Sequence, residues 1–315
     1  MNTLYAHGKL LISAEYMVLH GSKALALPLR LGQSLQRIRT ENTHALRWRA
    51  FYKDHLWFRA TFDPGTLKII DSSDPDKADY LKKMILACIE LNPSFQEELF
   101  RLDVETHLEF APEWGFGSSS TLTALLAEWA EVNPLDLHFM TSDGSGYDVA
   151  CAIADGPVLY RLRDNAPHYQ HVPFHPPFSN HLYFAWLGRK QPTALHLEKV
   201  TGTLQPGYET IHQFSGFTED MVESTDLVSF RELMEEHEEV LSKQLGVEPV
   251  STSRFPGIPG TVKSLGAWGG DFMMIASEAN EKELFDYLYE RDIKVIYRYG
   301  DLVYDGSELR QDTTT

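Results

Sequence analysis

A strand that runs through a glycine and serine turn straight into a helix narrows the folds open to this chain more than any other feature. Leu102 to Phe110 alternates apolar and polar residues as a half-buried strand does. It delivers the chain to Pro112-Glu113-Trp114-Gly115-Phe116-Gly117-Ser118-Ser119-Ser120. Leu122, Leu125, Leu126, Trp129 and Val132 then recur at helical spacing, so one face is apolar and the serines fill the first turn. The amides of a first helical turn lack intrahelical partners and lie at the positive end of the helix dipole, an arrangement that receives phosphate. Gly115 and Gly117 let the backbone bend and approach an anion closely, and a serine hydroxyl can cap the helix or ligate Mg²⁺. Pro112, Gly115, Gly117, Ser118, Ser119 and Ser120 are therefore the candidate phosphate-binding residues. An ordinary glycine turn with a serine cap has the same local pattern.

Bulk properties restrict the partners. With 315 residues and 43% apolar content, the chain can bury a sizeable core, most simply in two domains. A net charge of −17 opposes binding to nucleic acid or to an anionic membrane, both polyanions. An anionic small substrate then needs a local basic pocket. Cys88 and Cys151 form no disulfide framework or metal-ligand pair, in keeping with a reduced, cytoplasmic setting. Lys9 and Glu15 interrupt the N-terminal apolar stretch, which argues against a signal peptide, and no apolar run reaches the roughly 18 residues of a bilayer span.

The order of elements is mixed, which favours α+β over a doubly wound sheet. Leu10 to Leu19 and Leu25 to Leu35 read as strands around His20-Gly21-Ser22, and Ala45 to Phe51 with Leu56 to Phe62 as a hairpin. Tyr80 to Leu91 is an amphipathic helix, and Val158 to Leu162 a further strand. His168 to Asn180, rich in proline and histidine, is the expected linker. Beyond it come a strand at Leu182 to Leu187, helices at Tyr208 to Glu223 and Asp226 to Leu245, a strand at Phe272 to Ser277, a helix near Glu281 to Arg291 and a strand at Lys294 to Tyr299. The tail Gln311 to Thr315 is expected to be disordered.

Four further segments can carry chemistry. Gly8-Lys9 through Glu15 sets a cation and a carboxylate in an apolar region; Lys9 can neutralise a transferring phosphoryl group, or simply be solvated at a strand mouth. In Gly144-Ser145-Gly146-Tyr147-Asp148 an acid follows a glycine turn, as a base or as a turn former. Lys263 to Asp271 is a glycine-rich bend, and Gly188-Arg189-Lys190 gathers two cations after a buried strand.

Taken in order, these segments resemble the GHMP small-molecule kinases, closest to the mevalonate and phosphomevalonate kinase branch. Ala6-His7-Gly8-Lys9 through Glu15 to His20-Gly21 is similar to that family's first motif, the glycine and serine turn to its second, and Lys263 to Asp271 to its third. The resemblance spans nearly the whole chain. It implies a two-domain α+β fold, with an N-terminal ATP-binding domain of the ribosomal S5 domain 2 type over residues 1–167 and a ferredoxin-like domain over 168–315. It implies ATP and Mg²⁺, a small alcohol or phosphate as acceptor, and a monomer or homodimer. Lys9 and Asp148 correspond to the catalytic pair, Ser119 to a Mg²⁺ ligand, and Glu15, Ser145, Gly146, Lys190, Gly266, Ala267 and Gly269 to acceptor-binding positions.

Gly144 to Ala150 and Asp271 look more like phosphomevalonate kinases, whereas Glu15 with His20-Gly21 is closer to mevalonate kinases. The balance leans slightly to phosphomevalonate. There are departures from the family pattern. Ser119 and Asp148 stand only 29 residues apart, and the position of the acidic Mg²⁺ ligand, counted back from Asp148, is Leu137. Trp268 stands where the family has glycine, and Ala14 replaces another. An ATP-dependent decarboxylase, ranked below a kinase because Lys9 is intact, and a non-catalytic nucleotide or metabolite sensor are the competing readings. His237-Glu238-Glu239-Val240-Leu241 lacks the second histidine of a zinc protease and is expected to form the acidic face of a helix; His168, His171 and His175 are expected in a solvated loop.

Overall fold

The structure is a computed structural model, and it describes residues 3–41, 44–188, 204–266 and 271–306. The tail from 311 lies outside the described residues. The chain forms two compact units that are interleaved in sequence. One comprises Met1–Gly8, Leu31–Pro112 and Phe116–Ile153; the other comprises Lys9–Arg30, Glu113–Gly115 and Ala154–Thr315. The chain thus passes between units within strands β1 (Leu4–Leu11) and β2 (Ala24–Arg39), and in the glycine and serine turn.

In the first unit, β3 (Leu46–Tyr52) pairs antiparallel with β4 (His55–Phe62) and parallel with β6 (Leu102–Leu108). A short β5 (Ile69–Ser72) extends the sheet beyond β4, and β6 pairs with the Gln33 to Arg39 half of β2. Helix α1 (Pro75–Leu91) starts where Asp74 accepts from the Lys77 amide at 3.1 Å and Pro75 occupies the first helical position. Its Leu81, Met84, Ile85 and Cys88 recur at helical spacing and enter one core with Trp48, Phe58, Phe62 and Val104 from the sheet. Full burial of side chains of this size contributes about 1.5 to 3 kcal/mol each. Helices α2 (Ser118–Ala130), α3 (Pro134–Thr141) and α4 (Tyr147–Ala152) complete the helical layer.

In the second unit, Ala24 to Ala26 of β2 pairs with β7 (Val158–Arg163), which pairs with β8 (Ala166–His171). A separate antiparallel sheet runs β10 (Thr261–Leu265), β11 (Phe272–Ala276), β9 (Leu182–Trp186), β12 (Ile296–Arg298). Every residue of β10 and β11 is buried, which is why Phe272-Met273-Met274-Ile275-Ala276 shows no polar alternation. Helix α5 (Tyr208–Glu223) precedes α6 (Leu227–Leu245), which is capped by Asp226 and stopped by left-handed Gly246. Helix α7 (Glu281–Tyr289) buries Leu284 and Leu288 against Tyr183, Met273 and Ile275.

This α+β architecture is the one expected, but three local expectations change. The first strand ends at Leu11, because Ala14 and Tyr16 adopt left-handed φ values of 60° and 62° and lead into a short 3₁₀ turn, Met17–His20. His168 and His171 belong to a strand, not a linker, and Pro167 is tolerated there because β8 is an edge. His175 does lie in a loop, exposed beside Asp305. Asn133 caps α3 from its N-terminal side, so Asn133-Pro134 opens a helix as well as ending one. No helix of the described residues is long and apolar enough to cross a membrane.

Candidate active site

The first unit presents the start of α2. Gly117, with φ +87°, is the N-cap, and no side chain caps the helix. The serines are therefore not capping groups, and the amides of the first turn are left to whatever sits before them. Ser120 Oγ donates to the Gly117 carbonyl at 2.9 Å and Thr121 Oγ1 to Gln33 at 2.6 Å, which ties the turn to β2. Ser119 is exposed, its hydroxyl 2.7 Å from the Tyr80 hydroxyl of α1. Ser118 is half-buried.

Asp148 occupies the first turn of α4 in the same unit, half-buried, and its Oδ1 accepts from the Val149 amide at 3.1 Å. Gly146 opens that helix at φ +83°, where a Cβ would fall 3.1 Å from Leu135 and 3.4 Å from His138. Only glycine makes that turn without strain. His138 Nε2 stands 3.2 Å from the Gly144 carbonyl, and Ser145 is buried. Leu137 is fully buried in the core, so no carboxylate occupies that place.

In the second unit, three motifs far apart in sequence meet. Lys9 Nζ donates to the Gly115 carbonyl at 3.0 Å, joining the first motif to the second. Gly115 has φ +74°, and a Cβ there would lie 2.4 Å from Asp271 Oδ2. A Cβ on Gly266 would lie 3.4 Å from the same oxygen, so the Asp271 carboxylate packs against glycines of both the second and third motifs. Trp114, the residue before Gly115, packs this segment against three rings. Its ring centroid is 6.1 Å from Trp186, 6.0 Å from Phe272 and 6.1 Å from Tyr297.

Glu15 and Lys263 form a second junction of the first and third motifs. Both are buried, and Lys263 Nζ donates to Glu15 Oε1 and, at 3.1 Å, to the Ser264 carbonyl. His237 and Glu238 are not on an acidic surface as their sequence context implies. They lie on the buried stripe of α6 with Phe230, Met234 and Leu241, and only Glu239 of that charged run is exposed. Glu238 accepts from Ser264 Oγ at 2.9 Å and from the Ser264 amide at 3.2 Å. Burial raises the Glu15 carboxyl to about 7 despite the attraction of Lys263, and burial likewise raises Glu238. Burial, with the charge of Lys263, pushes His237 well below its usual range.

These shifts act in opposite senses on stability. Between the unfolded Glu value of 4.5 and about 7, the folded state holds a Glu15 proton that the unfolded chain has released, so this contribution declines as pH rises through that window. For His237 the unfolded chain binds the extra proton, so that contribution is lost as pH falls below 6.5. Glu15→Gln removes only the first effect. Urea unfolding at about pH 5 and about pH 8 is expected to show the stability difference moving in the variant's favour at the higher pH. A difference that does not change with pH would contradict the assignment.

Lys190, Ala267 and Gly269 lie outside the described residues, as does Trp268. The contacts made by Asp271, Lys263, His237 and Tyr80 are those that sequence reasoning did not place at the site. For Lys263 the signal available was a lysine within a run otherwise suited to a buried strand, Val262 to Leu265.

The architecture is the GHMP-kinase fold, shared with solved kinases along nearly the whole chain. Among these, the chain is similar to phosphomevalonate kinase of Streptococcus pneumoniae in complex with phosphomevalonate and AMPPNP, with a TM-score of 0.71 and 16% identity over 95% of this chain and 100% of that one. Mevalonate kinase of L. major, in complex with R-mevalonate, gives 0.65 and 17% identity over 97% and 96%. Galactokinase of Lactococcus lactis, complexed with galactose, gives 0.60 and 14% identity over 97% and 93%. No family model matches the sequence, and no curated protein matches it.

Proposed function

We propose that this protein is an ATP-dependent small-molecule kinase that phosphorylates a small acceptor, with phosphomevalonate favoured slightly over mevalonate. The observation that carries this reading is the meeting of Lys9, Gly115, Gly266 and Asp271, which brings three separately legible motifs together in one compact unit. Such a convergence is needed by a site that must hold a polyphosphate and neutralise charge in transfer.

The residues present fit a nucleotide with its metal. The uncapped first turn of α2 offers amides to a polyphosphate, and the exposed Ser119 hydroxyl would be a Mg²⁺ ligand of the hard-oxygen type. Mg²⁺ takes few protein ligands beside substrate phosphates and water, so the apolar Leu137 is compatible with one serine ligand. Bound MgATP would supply the phosphoryl group. Lys9 would screen the charge that develops on the transferred group, and its bond to the Gly115 carbonyl holds the ammonium at the glycine turn. Asp148 would accept or orient the acceptor proton, with Ser145 and Gly146 beside it in the first unit, and Glu15 and Gly266 would be acceptor-binding positions of the second unit.

The kind of acceptor determines how much Asp148 matters. A phosphate monoester needs little deprotonation near neutral pH, whereas an alcohol needs a base. Asp148→Asn is expected to fold normally and to lose about tenfold in kcat with a phosphate acceptor, and about 100-fold or more with an alcohol. Wild-type rates from the variant would remove Asp148 from the chemistry. The reading as a whole is tested by ADP release from MgATP with mevalonate and phosphomevalonate offered in parallel. Turnover with either supports a kinase; ATP binding without turnover on any small acceptor favours a sensor on the same fold.

A further inference from the structure

The turn that carries Glu15 is costly for the residues that form it. Ala14 and Tyr16 flank Glu15 at φ 60° and 62°, and a positive φ is strained for a residue that carries a Cβ. Such a turn persists only when its surroundings over-determine it. Ser13 Oγ is 2.8 Å from Thr218 Oγ1 of α5 and accepts from the Leu25 amide at 3.0 Å. Lys263 of β10 holds the Glu15 carboxylate. The backbone of the left-handed residue itself is gripped by α6, where the Ala14 amide donates to His237 Nε2 at 2.9 Å.

That bond determines the state of the imidazole. A nitrogen that accepts carries no proton, so the neutral ring bears its hydrogen on Nδ1. A proton on Nε2 would face the Ala14 N–H and break the bond. The ring is buried and wedged by Phe214, centroids 4.8 Å apart at 89°, and by Phe217 at 5.8 Å. The charged groups around it are Glu15, whose Oε2 is 3.4 Å from the same Nε2, Lys263 on β10 and Glu238, the next residue on α6. Acceptance through Nε2 satisfies the Ala14 amide and leaves Nδ1 buried without a hydrogen-bond partner.

We propose that His237 is a positioning residue for the phosphoryl acceptor: its neutral imidazole, accepting through Nε2, holds Ala14 in the left-handed conformation and thereby fixes the Glu15 turn against Lys263. The proposal rests on the kinase reading, in which Glu15 contributes to the acceptor subsite. His237 does not touch substrate itself; it acts through the turn.

His237→Gln retains an acceptor of similar reach, whereas His237→Leu keeps apolar bulk and loses the acceptor. The Leu variant is expected to raise KM for the acceptor and lower kcat by about tenfold or more, leaving KM for ATP unchanged, because misplacing a substrate group is costly. The Gln variant is expected to restore kcat to within about threefold of wild type. Exchange of the Ala14 amide should be about tenfold faster in the Leu variant and near wild type in the Gln variant. The ¹⁵N spectrum of wild-type His237 should show a protonated Nδ1 and an unprotonated Nε2. Wild-type kinetics in the Leu variant, or a protonated Nε2, would overturn the proposal. Exchange and tautomer need no turnover, so an inactive wild-type protein would sink the kinase reading while these measurements still decide whether His237 holds the turn. If the Leu variant fails to fold, the kinetics of the Gln variant and the wild-type tautomer settle whether the Nε2 acceptor is what matters.

Discussion

Lys9→Met is expected to reduce kcat by about 10² to 10³, the cost of removing one group that stabilises charge in a transition state. Methionine preserves the apolar stem and much of the length of the side chain, and the losses include the charge and the 3.0 Å bond to the Gly115 carbonyl. A single hydrogen bond contributes about 0.5 to 1.5 kcal/mol net, so the fold should persist with a small fall in Tm. Because Gly115 also contacts Asp271, losing the anchor should loosen the turn and raise KM for ATP modestly as well. Steady-state kinetics beside a melting curve separate the two effects. A folded variant with wild-type kcat would show that Lys9 serves only to tie the turn, and the phosphoryl-transfer role would be withdrawn.

Lys263→Met should produce the largest loss of stability. Lys263 is fully buried, donates to Glu15 and to the Ser264 carbonyl, and provides the positive charge between Glu15 and Glu238. Removing one partner from a buried ionic cluster leaves uncompensated charge and costs about 3 to 5 kcal/mol. For a protein of this size that lowers Tm by about 10 °C. The penalty arises from buried carboxyl groups that lose their cation and must take up a proton or stay unpaired, so pairing Lys263→Met with Glu15→Gln is expected to recover part of it. A double variant no more stable than the single one would mean that shape, not charge, sets the cost. Both quantities follow from thermal and urea unfolding near pH 7.

Much of the frame was legible because its physical signals are strong. The spacing of Leu122, Leu125, Leu126 and Trp129 located α2, and the alternation from Leu102 located β6. The ionic interior was not, for reasons that lie in tertiary contact. His237 and Glu238 share a stripe with Phe230, Met234 and Leu241, a spacing that could have flagged them as buried, but their charge argues for solvent until Lys263 and Ser264 are known to be opposite. The end of β1 was missed because apolar content says nothing about backbone handedness, and Ala14 takes a positive φ in a turn held by partners distant in sequence. The strand at β8 was hidden by Pro167, which an edge accepts and an interior strand would not. Short α3 and α4 depend on Asn133 and Gly146 as openers, residues that serve equally well as turn formers.

Phosphoryl transfer to a small acceptor can be watched as it happens, by phosphorus NMR of the wild-type protein with MgATP and each candidate acceptor. The γ-phosphate resonance of ATP is expected to give way to those of ADP and a new product, a diphosphate with a pair of doublets from phosphomevalonate or a monophosphate ester singlet from mevalonate. An unchanged ATP spectrum with both acceptors and with other small alcohols, from a folded protein that binds ATP, would contradict the kinase reading.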